Sequence, residues 1–127
     1  MTLDPFRPIQ GEPLNREGSS DGAIRRFALA LPEAYEDTHR SHPSFRVNQR
    51  IFAMLRPEPR HLIVKLGSDD QHNMLEGHPD VVIPGVHYAH HGWTRVLLDR
   101  ADEALVELIL RLAWLHVAPR RLHGALR

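Results

Sequence analysis

Ser44-Phe45-Arg46-Val47-Asn48-Gln49-Arg50-Ile51-Phe52-Ala53-Met54-Leu55 is the stretch on which the architecture turns. Two runs rich in aromatic and branched side chains flank a pair of residues that suits a two-residue hairpin turn, Asn48 being tolerant of positive φ although no glycine follows it. A straight pairing sets Val47 opposite Arg50 and Phe45 opposite Phe52, and directly paired residues share a face. One face then holds Phe45, Val47, Phe52 and Met54 and is expected to be core. The other holds Arg46, Ile51, Ala53 and Leu55, and the next strand, His61 to Leu66, adds Ile63 and Lys65 to it. A mixed apolar and basic face is unusual for simple solvent exposure.

Outward from the hairpin, turn residues and helical spacings divide the rest. Residues 1–18 contain Pro5, Pro8, Gly11, Pro13 and Gly18 with few apolar side chains between them, and are expected to form a flexible tail preceding a single domain over 19–127. Ser19, Ser20 and Asp21 offer N-caps for a helix whose apolar face is Ile24, Phe27, Ala28 and Leu31, stopped by Pro32. Ser68 with Gln71 matches a capping box, predicting a short helix to about Glu76 before Gly77. Val81-Val82-Ile83 and Trp93 to Leu98 read as strands around a loop holding Pro84, Gly85, His87, His90, His91 and Gly92. The last helix begins near Asp99 and runs to about Leu115, with Leu105, Leu108, Ile109, Leu112 and Leu115 as its main stripe. Val106, Leu110 and Trp114 lie off that stripe, so the helix is either covered on several sides or forms a subunit contact.

The chain has 127 residues, 42% hydrophobic and 25% charged, which suits one globular core. With 0 cysteines it can hold neither a disulfide nor a thiolate nucleophile, and no apolar run is long enough to cross a membrane, so a cytoplasmic protein is expected. The formal net charge of 0 argues against strong phosphate attraction, but the charge is uneven: residues 38–66 have 6 basic groups and 1 acidic, and residues 67–110 have 2 and 8.

The order of these pieces resembles the MmcQ/YjbR family of small bacterial proteins. The resemblance is carried by Ala28-Leu29-Ala30-Leu31-Pro32, His42-Pro43-Ser44-Phe45-Arg46-Val47, Arg50-Ile51-Phe52-Ala53, Val64-Lys65-Leu66, Pro84-Gly85, Gly92-Trp93-Thr94-Arg95-Val96, Asp102-Glu103 and Ala118-Pro119-Arg120-Arg121-Leu122, spanning residues 22 to 122. It implies an α+β fold ordered α-β-β-β-α-β-β-α, with an antiparallel sheet of about five strands backed by helices. It also implies DNA binding through two wing-like hairpins, without catalytic residues. Where the family often has His-Trp, this chain has Gly92-Trp93.

Candidate residues follow from charge and spacing. Arg46, Arg50, Arg56, Lys65, Arg120 and Arg121 are the expected nucleic-acid contacts, supported by Arg40, Arg60 and Arg127, since hairpin guanidinium groups reach phosphates or base edges. A second reading makes the chain a homodimer or protein-binding module through its apolar last helix and mixed sheet face. His87, His90 and His91 are near neighbours, but no His-Glu-x-x-His spacing supports a metal site. Ser41, His42 and Ser44 lack an orienting third group or a nucleophile elbow, and no phosphate-cradling glycine motif occurs, so neither catalysis nor a cofactor is expected. Trp93 and Trp114, in apolar surroundings, are expected in the core.

Overall fold

The computed structural model describes residues 18–57 and 59–126. Helix α1 (Asp21–Leu29) starts where Ser20 Oγ accepts the backbone N–H of Ala23 at 3.1 Å, and it buries Ala23, Ile24 and Ala28. The expected tail lies outside the described residues except for Gly18, which packs so closely on Leu98 that an added Cβ would meet its carbonyl oxygen at 2.7 Å. Ser19 is buried and donates its hydroxyl to Ala101 O at 2.8 Å.

Six strands follow in one antiparallel sheet: β1 (Tyr35–His39), β2 (His42–Val47), β3 (Arg50–Pro57), β4 (Arg60–Lys65), β5 (Val82–Pro84) and β6 (Trp93–Leu97), arranged β1-β2-β3-β4-β6-β5. Helix α2 (Ser68–Gly77) lies between β4 and β5 in the chain, and α3 (Glu103–Val117) follows β6. The α+β class and antiparallel sheet are as expected. The strand number is not: Tyr-Glu-Asp-Thr-His adds an edge strand, almost wholly exposed, so it shows none of the apolar alternation that marks a half-buried strand.

The β2–β3 hairpin closes through Asn48 and Gln49 with φ of 51° and 68°, the mirror-image turn whose twist matches its strands. Val47 pairs with Arg50 and Arg46 with Ile51, but Phe45 pairs with Ala53 and Ser44 with Met54. Phe52 is therefore an extra residue in β3, a β-bulge that corrects the straight register. Phe52, Ala53 and Leu55 all join the core, while Met54 turns to the opposite face beside Ile63. The mixed face thus keeps Arg46, Ile51, Ile63 and Lys65, loses Ala53 and Leu55, and gains Met54.

Helices α1 and α3 cover the inner face of the sheet, with Phe45, Val47, Leu62, Val64 and Val96 beneath them. Asp102 caps α3 by accepting Leu105 N–H at 2.8 Å. The buried stripe of α3 is Val106, Ile109, Leu110, Ala113 and Trp114, rotated from the expected one. Trp114 is wholly buried and donates Nε1–H to Pro32 O at 3.0 Å, fixing that rotation and leaving Leu108 44% exposed. The expected capping box is also absent: Gly67 caps α2 without a side-chain bond, and Gln71 reaches instead to Ala89 O at 2.9 Å and Thr94 Oγ at 3.0 Å.

Candidate nucleic-acid interface

Helices α1 and α3 pack on the inner face of the sheet, and on the other face two clefts adjoin. The larger, of about 920 Å³, has Met54, Ile63 and Trp93 on the strands, Arg40, His42, Arg56 and His61 toward the β1–β2 and β3–β4 turns, and Arg95 on β6. Residues 85–88 form its wall. The smaller, of about 470 Å³, lies toward the β2–β3 turn and the last turn of α3, and Arg46, Arg50, Lys65 and His116 line it. Trp93 borders both clefts, and Lys65 Nζ sits 5.5 Å from the centroid of its ring, within cation–π range.

Of the six expected contacts, Arg46, Arg50 and Lys65 therefore meet in one cleft and Arg56 lines its neighbour. Arg120 and Arg121 stand on the 3-10 turn after α3 and line neither cleft, and Arg121 lies 3.8 Å from Glu33. Arg60 is occupied elsewhere: it binds Asp21 at 2.9 Å, Asp99 at 3.4 Å and Ser19 O, clamping α1 to the segment before α3. Arg127 lies outside the described residues.

Among the described residues, no carboxylate lines either cleft, and the ion pairs use Arg25, Arg26, Arg60 and Arg121 rather than the cleft cations. Glu36 holds the Arg25 guanidinium above its ordinary pKa, chiefly by a hydrogen bond at 3.0 Å. Asp37, which pairs with Ser44 at the sheet edge, is an acid of the outer face that lines neither cleft. Arg56 Nε is buried with no hydrogen-bond partner among the described residues.

Sequence reasoning missed Arg95 because it sits in an acidic segment, and misplaced Trp93 in the core. The period-two alternation of β6 separates the two sides: Thr94 and Val96 are buried, whereas Trp93 and Arg95 pair with Lys65 and Ile63 on the outer face. Trp114, by contrast, is in the core as expected. Among the described residues no three His, Asp or Glu side chains come together as a metal site, although His90 and His91 have ring centroids 4.1 Å apart.

No curated protein matches the chain. The crystal structure of Deinococcus radiodurans protein DR2400, described as a DUF419 domain, matches it at 22% identity with a TM-score of 0.69, covering 91% of this chain and 89% of that one, which shows a shared fold. The family model described as YjbR matches residues 29–116, from the end of α1 through nearly all of α3. On that match over most of its length, the chain belongs to the YjbR family.

Proposed function

We propose that this protein binds DNA through the outer face of its sheet and acts as a binding protein rather than an enzyme. The observation supporting this is that Arg40, Arg46, Arg50, Arg56, Lys65 and Arg95 line two adjoining clefts with no carboxylate among the described lining residues. The neutral total is compatible with such a face because several acids are engaged with arginines outside the clefts: Glu36 with Arg25, Asp21 and Asp99 with Arg60, and Glu33 with Arg121. The β1–β2 hairpin presents Arg40 and the β2–β3 hairpin Arg46 and Arg50, at opposite ends of the 6-residue strand β2. That separation is roughly 20 Å, enough to meet several successive phosphates.

The test is a mobility-shift titration at two salt concentrations. Four or five phosphate contacts give a slope of log affinity against log salt near −4 for duplex DNA. Absence of binding at tens of micromolar protein in low salt would remove the proposal.

A second reading, self-association through α3, is favoured by one observation: Leu105, Leu112 and Leu115 are half-buried beside the exposed Leu108 in a single stripe. Sedimentation at high protein concentration tests it, and a monomer there excludes it.

A further inference from the structure

Val86 and Tyr88, at 69% and 64%, are the most exposed large apolar side chains among the described residues, and both stand at the larger cleft. Their loop is firmly anchored. Gly85 N–H donates to Trp93 O at 3.0 Å and Leu66 N–H to Gly92 O at 3.0 Å. A Cβ on Gly85 would meet Trp93 O at 2.6 Å, and one on Gly92, whose φ is +98°, would meet Leu66 O at 2.1 Å, so only glycine permits these two approaches. Gln71 holds the loop from α2, and Arg95 Nε donates to Pro84 O at 2.8 Å. Tyr88 itself is kept at φ 59°, in the left-handed region where a bulky residue is strained. The fold thus holds the backbone that carries an aromatic ring out into solvent, so the backbone part of the ordering cost is met before any ligand arrives.

In a duplex the faces of the bases are covered by their neighbours in the stack, which leaves phosphates and groove edges for a protein to contact. Aromatic rings at the edge of a broad cleft have little to engage there. A single strand offers unstacked bases whose faces seek such rings while its phosphates follow a basic groove. Tyr88 and Trp93 both border the larger cleft, with Met54 and Ile63 between the strands and Arg40, Arg56 and Arg95 around them. Lys65, which lies over the Trp93 ring, lines the smaller cleft only.

We infer that the larger cleft takes unstacked bases of single-stranded nucleic acid, with Tyr88 and Trp93 as stacking platforms and the six cations along the backbone. This rests on the basic-face reading above and narrows it to one form of nucleic acid.

The experiment measures fluorescence anisotropy of a labelled DNA single strand of about 12 nucleotides, and of its duplex, against the full chain at one salt concentration. The single strand is expected to bind at least tenfold tighter. Tyr88→Ala, at an exposed position, should weaken the single strand roughly fivefold to a hundredfold, spare the duplex, and be rescued by Tyr88→Phe. Stacking should also quench tryptophan emission, since Trp93 is the accessible indole and Trp114 is buried; Trp93→Phe should abolish the quench. Equal or tighter duplex binding, unchanged by Tyr88→Ala, overturns the inference while leaving the basic-face reading intact. Failure of both probes to bind overturns both.

Discussion

The two faces of the sheet are built by the same strands and do opposite things with them. On the inner face, Phe45, Ala53, Leu62, Val64 and Val96 are all wholly buried beneath two helices, and the buried Thr94 beside them donates its hydroxyl to Gly92 O at 2.9 Å. On the outer face the alternate residues of the central strands are Met54, Ile63, Lys65, Trp93 and Arg95, a mixture of apolar, aromatic and cationic groups, with the acid Asp37 out on the edge strand. An outer face serving only solubility would intersperse both signs of charge and avoid apolar patches. The contrast separates the packed side of the sheet from the side on which binding is proposed, so substitutions on the two faces should have separable effects.

The largest effect is expected for Phe45→Ala, which opens a cavity under α1 and α3. Urea unfolding should show a loss of about 3–5 kcal/mol, while the fraction that remains folded binds DNA as before; a loss below 1 kcal/mol would contradict the inner face as drawn. Gly92→Ala should come next, because its Cβ would collide with Leu66 O at 2.1 Å and its φ of +98° disfavours any side chain. A cost of roughly 1–3 kcal/mol is expected in the same assay, and wild-type stability would mean the loop can rearrange.

Gln71→Leu removes the donor to Ala89 O and Thr94 Oγ. Its cost should be about 1–3 kcal/mol, accompanied by weaker single-strand binding as the Tyr88 platform loosens; retention of both properties would show that the loop stands without α2. The smallest stability change is expected for Arg46→Gln combined with Lys65→Gln, about 1 kcal/mol, because the pair gives up the Lys65–Trp93 contact and the Arg46 Nε donation to Ser44 Oγ. This pair should nevertheless flatten the salt dependence of DNA binding by about two units of slope, and an unaltered slope would place the phosphates elsewhere.

Much of this division could be read before any coordinates. The Asn48-Gln49 turn, the Pro32 helix stop and the shared face of Arg46 and Lys65 followed from turn chemistry, proline geometry and strand pairing; Arg50, which that pairing sets opposite the core residue Val47, nevertheless lines the same cleft. The bulge did not follow from them. Ile51 to Leu55 are five consecutive apolar residues, and in such a run no polar position marks which residue is extra, so Met54 was exchanged with Ala53 and Leu55. The rotation of α3 was equally hidden, because a helix apolar on most sides offers several plausible stripes and only the distant partner of Trp114, Pro32 O, selects one. Gln71 illustrates tertiary override: its side chain could have closed a local box with Ser68, but Ala89 and Thr94, 18 and 23 residues away, provide better-placed acceptors.

Helix α2 has no fully buried residue and no side-chain cap at its start, yet it supplies the amide that holds the 85–92 loop. Segments with so little burial open at lower free energy than the sheet beneath them, as one cooperative unit. Backbone amides of α2 and of this loop should therefore exchange with deuterium together, ahead of β3 and β4, and the lifetime of the closed unit sets how long Tyr88 remains on display.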